Sequence, residues 1–321
     1  MNRARVNLVA PWVRVAGGVA VVAVVVWRIG AGPFLAGVRA MGGWALLAAV
    51  VITAVTTLAS AWRWRAVARG LGLRLGWRPA VWACYRSQFL NSVLPGGVLG
   101  DVHRGVRHGR DSGALGRGLR SVAWERAAGQ VVQAVLAAVV LVSFDSPVRA
   151  AMGPAVAFAG AGVVLVGYSM LVIARTGSSR AARIVAAVRS DIRLGLVQRG
   201  AWLPVLAGST LVVAGHTAVF IIAAHAAAPG VSFEQVLPLA MLVLIGMGVP
   251  LGVGGWGPRE GIAAWAFGAA GLGADRGVAT AACYGVMAFV ATLPGAIVLL
   301  AERRQQPVPL PEVPRWSVVH G

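Results

Sequence analysis

Residues Ala40–Trp62, AMGGWALLAAVVITAVTTLASAW, run without a charged side chain until Arg63 ends them. About 20 apolar residues in a helix cross the hydrocarbon of a bilayer. Six further stretches resemble this one: Val15–Trp27, Ala127–Phe144, Ala150–Ala174, Gly200–Phe233, Gln235–Pro258 and Gly277–Ala301. Most reach spanning length or come close. The whole chain is 58% hydrophobic and 12% charged over 321 residues, with a mean hydropathy of +0.76. A soluble domain of that size cannot bury so much apolar surface. The expected fold class is therefore all-α: a polytopic membrane helix bundle. Val15–Trp27 lacks a small-residue cleavage site after it, so it is read as a span and not as a cleaved signal.

The basic residues orient the bundle. Net charge is +19, and every basic residue other than histidine is arginine. They gather at Arg3/Arg5, Arg63–Arg78, Arg104–Arg120, Arg175–Arg199 and Arg303/Arg304. The connections between these groups are poor in arginine. Cytoplasmic loops of membrane proteins carry the excess of basic residues. The expected protein is thus multi-pass in a bacterial-type plasma membrane, with cytoplasmic N- and C-termini. This placement accounts for the charge without nucleic acid. Residues 1–301 form one transmembrane domain, and the proline-rich tail 302–321 is expected to be cytoplasmic and disordered.

Two segments disturb a simple up-and-down count. Pro79–Gly100 is moderately apolar but lies between two arginine-rich loops, so it is read as entering and leaving on one side. Leu94-Pro95-Gly96-Gly97 is its break. Gln235–Leu251 is followed by a glycine-rich run and by the short apolar piece Gly261–Ala274, which fits a second broken hairpin from the opposite face; two full crossings would give the same parity. The expectation is about six full spans plus two re-entrant hairpins, arranged as an inverted repeat.

Charge inside these breaks marks the candidate site, because ionised groups in a membrane are costly and usually functional. The first break reads Pro95-Gly96-Gly97-Val98-Leu99-Gly100-Asp101-Val102-His103-Arg104. The second reads Pro250-Leu251-Gly252-Val253-Gly254-Gly255-Trp256-Gly257-Pro258-Arg259-Glu260. Proline and glycines Pro95, Gly96, Gly97, Gly100, Pro250, Gly254, Gly255 and Gly257 would let backbone approach a ligand closely. Helix N-termini after them would favour an anion. Each break could instead be a glycine-rich loop at a membrane edge. A third cluster opens the next span: Glu125, Gly129 and Gln133 share one helical face, with Arg126 and Gln130 beside it. That stripe is either an interior wall or an edge among lipid headgroups.

Other features carry less. His216 and His225 face different ways and read as packed histidines. Trp62, Trp64, Trp77 and Trp82 read as an interfacial belt. Residues 180–199 place Ile184, Val188 and Ile192 at helical spacing against arginines, as in a helix lying on an anionic membrane surface. Cys84 and Cys283 read as buried small hydrophobes. There is no phosphate-binding loop, no metal-ligand cluster and no nucleophile–base spacing, so neither cofactor nor metal is expected.

Taken in order, Leu94-Pro95-Gly96-Gly97…Gly100-Asp101…Arg104, then Glu125-Arg126-x-x-Gly129, then Pro250…Gly254-Gly255-x-Gly257-x-Arg259-Glu260 resemble the lysylphosphatidylglycerol synthase transmembrane region, also called the flippase-like domain family. The resemblance extends from about Val15 to Ala301. It departs at Glu125, where the family often has Asp, and at Val98-Leu99, which lengthen the usual Gly-Gly-Asp. The resemblance implies a flippase-like domain moving a polar-headgroup phospholipid or a polyprenyl-phosphate-linked lipid between leaflets. In fused relatives the moved lipid is aminoacylated phosphatidylglycerol and a separate cytosolic domain makes it; no room for that domain follows the last span, so aminoacyl transfer is not expected. A membrane enzyme acting on a lipid-linked sugar, or an accessory protein without turnover, are the alternatives. Under the transport reading the partners are membrane lipids with an anionic or phosphate headgroup. Arg104 and Arg259 would hold phosphate. Asp101, Glu125 and Glu260 would pair with them or with a cationic headgroup. All are expected in one polar cavity where the two breaks meet.

Overall fold

The computed structural model describes residues 39, 41–94, 96–144, 180–197, 200–248 and 256–304. The spans expected at Val15–Trp27 and Ala150–Ala174 lie outside these residues, as do Pro95, Pro250, Gly254, Gly255 and the tail beyond Arg304. Among the described residues the structure is helical, apart from its turns and connections.

Among the described residues, four segments are long and apolar enough to cross a membrane: α1 (Gly43–Gly70), α4 (Leu115–Ser143), α6 (Trp202–Ala227) and the stretch Ala274–Glu302. The last is built from α9 (Ala274–Thr292) and α10 (Pro294–Arg304). Small residues allow the long helices to approach. Gly208 of α6 faces the Ala59 carbonyl of α1, where a Cβ would stand 3.1 Å away, and Gly215 faces Ile52 at 3.1 Å. These pairings run α1 and α6 antiparallel. Without a hydrophobic gradient between helices in lipid, such close backbone packing is a main source of association. Outward faces carry large apolar side chains, among them Val131, Val135 and Val139 of α4 and Leu203 and Leu206 of α6.

Between the long helices sit two short-helix pairs. The first is α2 (Trp77–Val93) and α3 (Leu99–Asp111). The second is α7 (Phe233–Met247) and α8 (Pro258–Ala269). At about 1.5 Å of rise per residue, the 15 residues of α7 and the 12 of α8 fall short of a hydrocarbon core about 30 Å thick. The order of long helix, short pair, long helix thus occurs twice. The pairs pack at opposite ends of α1. Ala61 and Trp64, near its C-terminus, cluster with Ala80, Ala83 and Cys84 of α2. Met41, Ala45 and Ala49, at its other end, join the cluster containing Val236, Val243, Ala263 and Phe267.

Three expectations change. Arg104–Arg120 is not a loop: it comprises most of α3, a turn, and the start of α4, which begins at Leu115, well before the apolar stretch Ala127–Phe144. The charge count hid a packing motif. Gly105 and Gly109 lie one turn apart on α3 and fit against Leu119 and Leu115, where a Cβ on Gly109 would stand 2.7 Å from the Leu115 backbone. Trp64 leaves the interfacial belt: it is buried, and its indole N–H donates to Ser121 Oγ at 3.1 Å, whereas Trp62, Trp77 and Trp82 are exposed. The basic segment after residue 179 is helical as expected, α5 (Arg180–Ile192) followed by a π turn (Arg193–Val197). Among its described side chains the buried apolar one is Val185 instead of the expected Val188 or Ile192, and Ile192 faces outward. The π turn seats Leu194 and Gly195 against Gly70 of α1.

The last helix returns to the first pair. Gly295 of α10 fits against the backbone of Tyr85, and Glu302 accepts from Arg86 Nη1 of α2 at 2.6 Å and pairs with Arg107 of α3. The helix therefore continues past residue 302 to Arg304.

Candidate functional site

The turn after α2 explains how Asp101 enters the interior. Gly96 and Gly97 both take positive φ, 80° and 59°, a conformation that costs glycine little. They reverse the chain so that α3 runs back along α2. Gly100 then presses on the Ser87 carbonyl, where any Cβ would overlap, and its N–H donates to Asn91 Oδ1 at 2.8 Å. This close contact aims Asp101 at α2. Ser87 Oγ donates to Asp101 Oδ1 at 2.9 Å and Asn91 Nδ2 to Oδ2 at 2.7 Å.

From Asp101 a line of alternating charge crosses the bundle. Arg104 Nε donates to Asp101 Oδ1 at 2.8 Å, one turn along α3. The same guanidinium pairs with Glu125 of α4 and lies 4.7 Å from the centre of the Trp64 ring. Glu125 in turn holds Arg63 of α1, whose Nε donates to it at 2.6 Å. Arg63 Nη1 ends the line by donating to Ser209 of α6 at 2.8 Å. Arg126 joins from α4, paired with the second oxygen of Asp101. Unpaired ions in such an environment would cost several kcal/mol each, so the alternation is what makes their burial tolerable. Glu125 is 1% exposed and Arg104 5%; the Arg126 side chain, at 34%, is the open member.

The line borders a cavity of about 270 Å³. Arg63 and Ser60 of α1 and Ser87, Gln88 and Asn91 of α2 form one side. The α4 stripe forms another, with Glu125, Arg126, Gly129, Gln130 and Gln133 all on its wall. His216 of α6 and Tyr284 of α9 close it, hydrogen-bonded to each other at 2.9 Å. Met247 and Gly248 bring in the end of α7, so both short-helix pairs reach the cavity. His225 lies elsewhere, exposed and bonded to the Ile221 carbonyl of its own helix. Gly129 is small for a reason: a Cβ there would stand 2.7 Å from Arg63 Nη1.

Arg259 and Glu260 are buried too, but they do not line this cavity. Gly257, at φ 98°, turns the chain into α8 with Pro258 at its first position. Glu260 Oε2 accepts the Gly257 N–H at 2.6 Å, capping its own helix. Its other oxygen takes Arg259 Nε at 2.8 Å. The guanidinium is held 4.2 Å from the Trp256 ring centre, 5.7 Å from that of Tyr284, and against Gly285, where any Cβ would overlap it. Tyr284 thus touches both systems. The structure brings Asp101, Arg104, Glu125 and Arg126 together and leaves Arg259 and Glu260 as a self-neutralised pair beside them.

Several cavity residues escape sequence reading. Arg63 reads as the start of the basic loop that follows it, although it sits seven residues inside the end of α1. Its signal is the small-residue face below it, Thr56 and Ala59, two turns and one turn back. Ser209 and Tyr284 stand in apolar runs with no charged residue within a turn of either.

The fold and its buried ionic cavity define an all-α, multi-pass membrane protein with a polar interior. The sequence profile described as lysylphosphatidylglycerol synthase TM region matches residues 12–295, and the chain belongs to that family. Neither a curated protein nor a solved structure matches it.

Proposed function

We propose that the protein moves a lipid between leaflets, holding its polar headgroup in the cavity while the acyl or isoprenyl chains stay in the membrane. The observation carrying this reading is depth. Gly129, on the cavity wall, is the midpoint of the 29-residue α4. A polar chamber halfway along apolar helices suits a group in transit better than a reaction at the membrane surface. The short pairs support the reading. The helices of the second are too short to cross, the pairs pack at opposite ends of α1, and both reach the chamber, as the halves of an alternating-access site would.

In this reading the pairs are re-entrant and the arginine-rich end of the bundle is cytoplasmic, in a plasma membrane. That end carries Arg69, Arg74, Arg78, Arg110 and Arg117, together with the C-terminal end of α10. The lipid partner bears an anionic or phosphate-containing headgroup, drawn by three guanidiniums facing two carboxylates on the cavity wall. Arg259 and Glu260, outside the cavity, anchor the turn that leads into α8.

Reconstitution tests the proposal. Purified protein in vesicles with acyl-labelled phospholipids should accelerate loss of inner-leaflet protection against a membrane-impermeant quencher. Acceleration for no lipid, from protein shown to be folded, overturns it. Cysteines placed at Arg74 and Arg117 should react only from the cytoplasmic side.

A further inference from the structure

We infer that Arg126 is the residue that grips the headgroup, and that the site selects a lipid phosphodiester carrying one negative charge and an uncharged, hydroxyl-rich head. This rests on the transport reading for its membrane context, but it can be measured by binding alone.

Two of the three cavity arginines are committed to buried partners. Arg63 is shared between Glu125 and Ser209 and wedged on Gly129. Arg104 is shared between Asp101 and Glu125, with Trp64 beneath it and Cys84 Sγ 3.6 Å from Nη1. Arg259 is outside the cavity. Arg126 alone of the cavity arginines keeps about a third of its side chain open. It is also the one whose departure Asp101 would tolerate. Without it Asp101 still accepts from Arg104, Ser87 and Asn91. A phosphate oxygen can therefore take over Arg126 from Asp101 without leaving a bare carboxylate.

Charge and size then describe the ligand. Three guanidiniums against two carboxylates leave one positive charge among the described cavity residues. One phosphodiester neutralises it. A phosphomonoester, approaching two negative charges near neutral pH, overshoots. A cationic aminoacyl head adds like charge to the surplus. Beyond Arg126 on the same helix face stand Gln130 and Gln133, neither holding a hydrogen bond among the described residues. Their amides offer both donors and acceptors to hydroxyls. A volume of about 270 Å³ lies below the range of drug-sized pockets, roughly 300–1,000 Å³. It suits a single polyol or one hexose.

Two lipid classes share this chemistry: phosphatidylglycerol and an isoprenyl-phosphate hexose. Binding is read by thermal shift of the detergent-purified protein with dihexanoyl-phosphatidylglycerol and with a short-chain isoprenyl-phosphate glucose as separate arms. Dihexanoyl-phosphatidylcholine, dihexanoyl-lysylphosphatidylglycerol and isoprenyl monophosphate are the comparators. At least one phosphodiester monoanion should bind about tenfold or more tightly than every comparator, the scale of one charge-assisted hydrogen bond. Arg126→Gln should erase that margin, Arg126→Lys should keep part of it, and Gln133→Leu should weaken the preferred arm while leaving isoprenyl monophosphate unchanged. Phosphatidylcholine or the cationic lipid binding equally well, or Arg126→Gln keeping the margin, overturns the inference even if lipids are moved. Selective binding through Arg126 with no transbilayer movement keeps the inference and removes the transport reading.

Discussion

The two glycine-bounded turns look alike in sequence and do different work. Each leads from glycines into a helix whose first turns carry an acid and an arginine. In the first, Asp101 and Arg104 spend their bonds on other helices, reaching α2 and α4 and, through Glu125, α1. In the second, Arg259 and Glu260 spend theirs on each other and on their own turn. The difference is one of spacing. Asp101 and Arg104 are three residues apart, on one helix face. Arg259 and Glu260 are adjacent at a helix start, where the carboxylate caps the N-terminus and the guanidinium folds back over Trp256. A shared line of charge couples helices to a cavity; a closed pair anchors a turn.

Removing Glu125 should break this contrast most severely. Glu125→Ala leaves Arg63 and Arg104 buried without their common carboxylate. Losing one partner of a buried ion pair costs about 3–5 kcal/mol. Thermal unfolding in detergent should show a large fall in midpoint or failure to accumulate folded protein. Glu260→Gln strips one partner from a pair that is also buried but outside the cavity. It should lower the unfolding midpoint clearly while headgroup binding per folded molecule stays unchanged. Lost binding at unchanged stability would move Glu260 into the site.

The glycines sharpen the same contrast at smaller scale. Gly129→Ala forces Arg63 to shift, and Gly285→Ala forces Arg259 to shift. Overpacking of this kind costs typically about 1–3 kcal/mol. The first should also weaken headgroup binding, because Arg63 borders the cavity; the second should lower stability alone. The smallest stability effect belongs to Arg126→Gln. A partly exposed pair contributes up to about 1 kcal/mol, so its midpoint should barely move while binding selectivity does.

The membrane class was legible because uncharged runs of spanning length, repeated along one chain, exceed what a soluble core of this size can enclose. Asp101 and Arg104 were legible as charges directly after a glycine-rich break, and the α4 stripe through its four-residue spacing. What the sequence concealed was partner choice across helices. Arg63 is chemically identical to Arg65 and Arg69 beside it. Only the helix face separates an arginine that crosses the bundle to Glu125 from one that reaches the Leu75 carbonyl. The α3 helix was concealed for the converse reason: a segment rich in arginine and glycine reads as a loop until Gly105 and Gly109 are seen against α4.

The contact between Glu302 and Arg86 sets an order of events during synthesis. Arg86 is buried, and Glu302 supplies its only ion pair among the described residues. The two are 216 residues apart. At roughly 5–20 residues per second the ribosome needs roughly ten to forty seconds to travel between them. For that interval α2 and α3 exist without the carboxylate that ties both to α10. The first half of the protein is thus made early and finished last, and a nascent chain stalled before residue 302 should leave Arg86 open to a polar modifying reagent that the completed protein excludes.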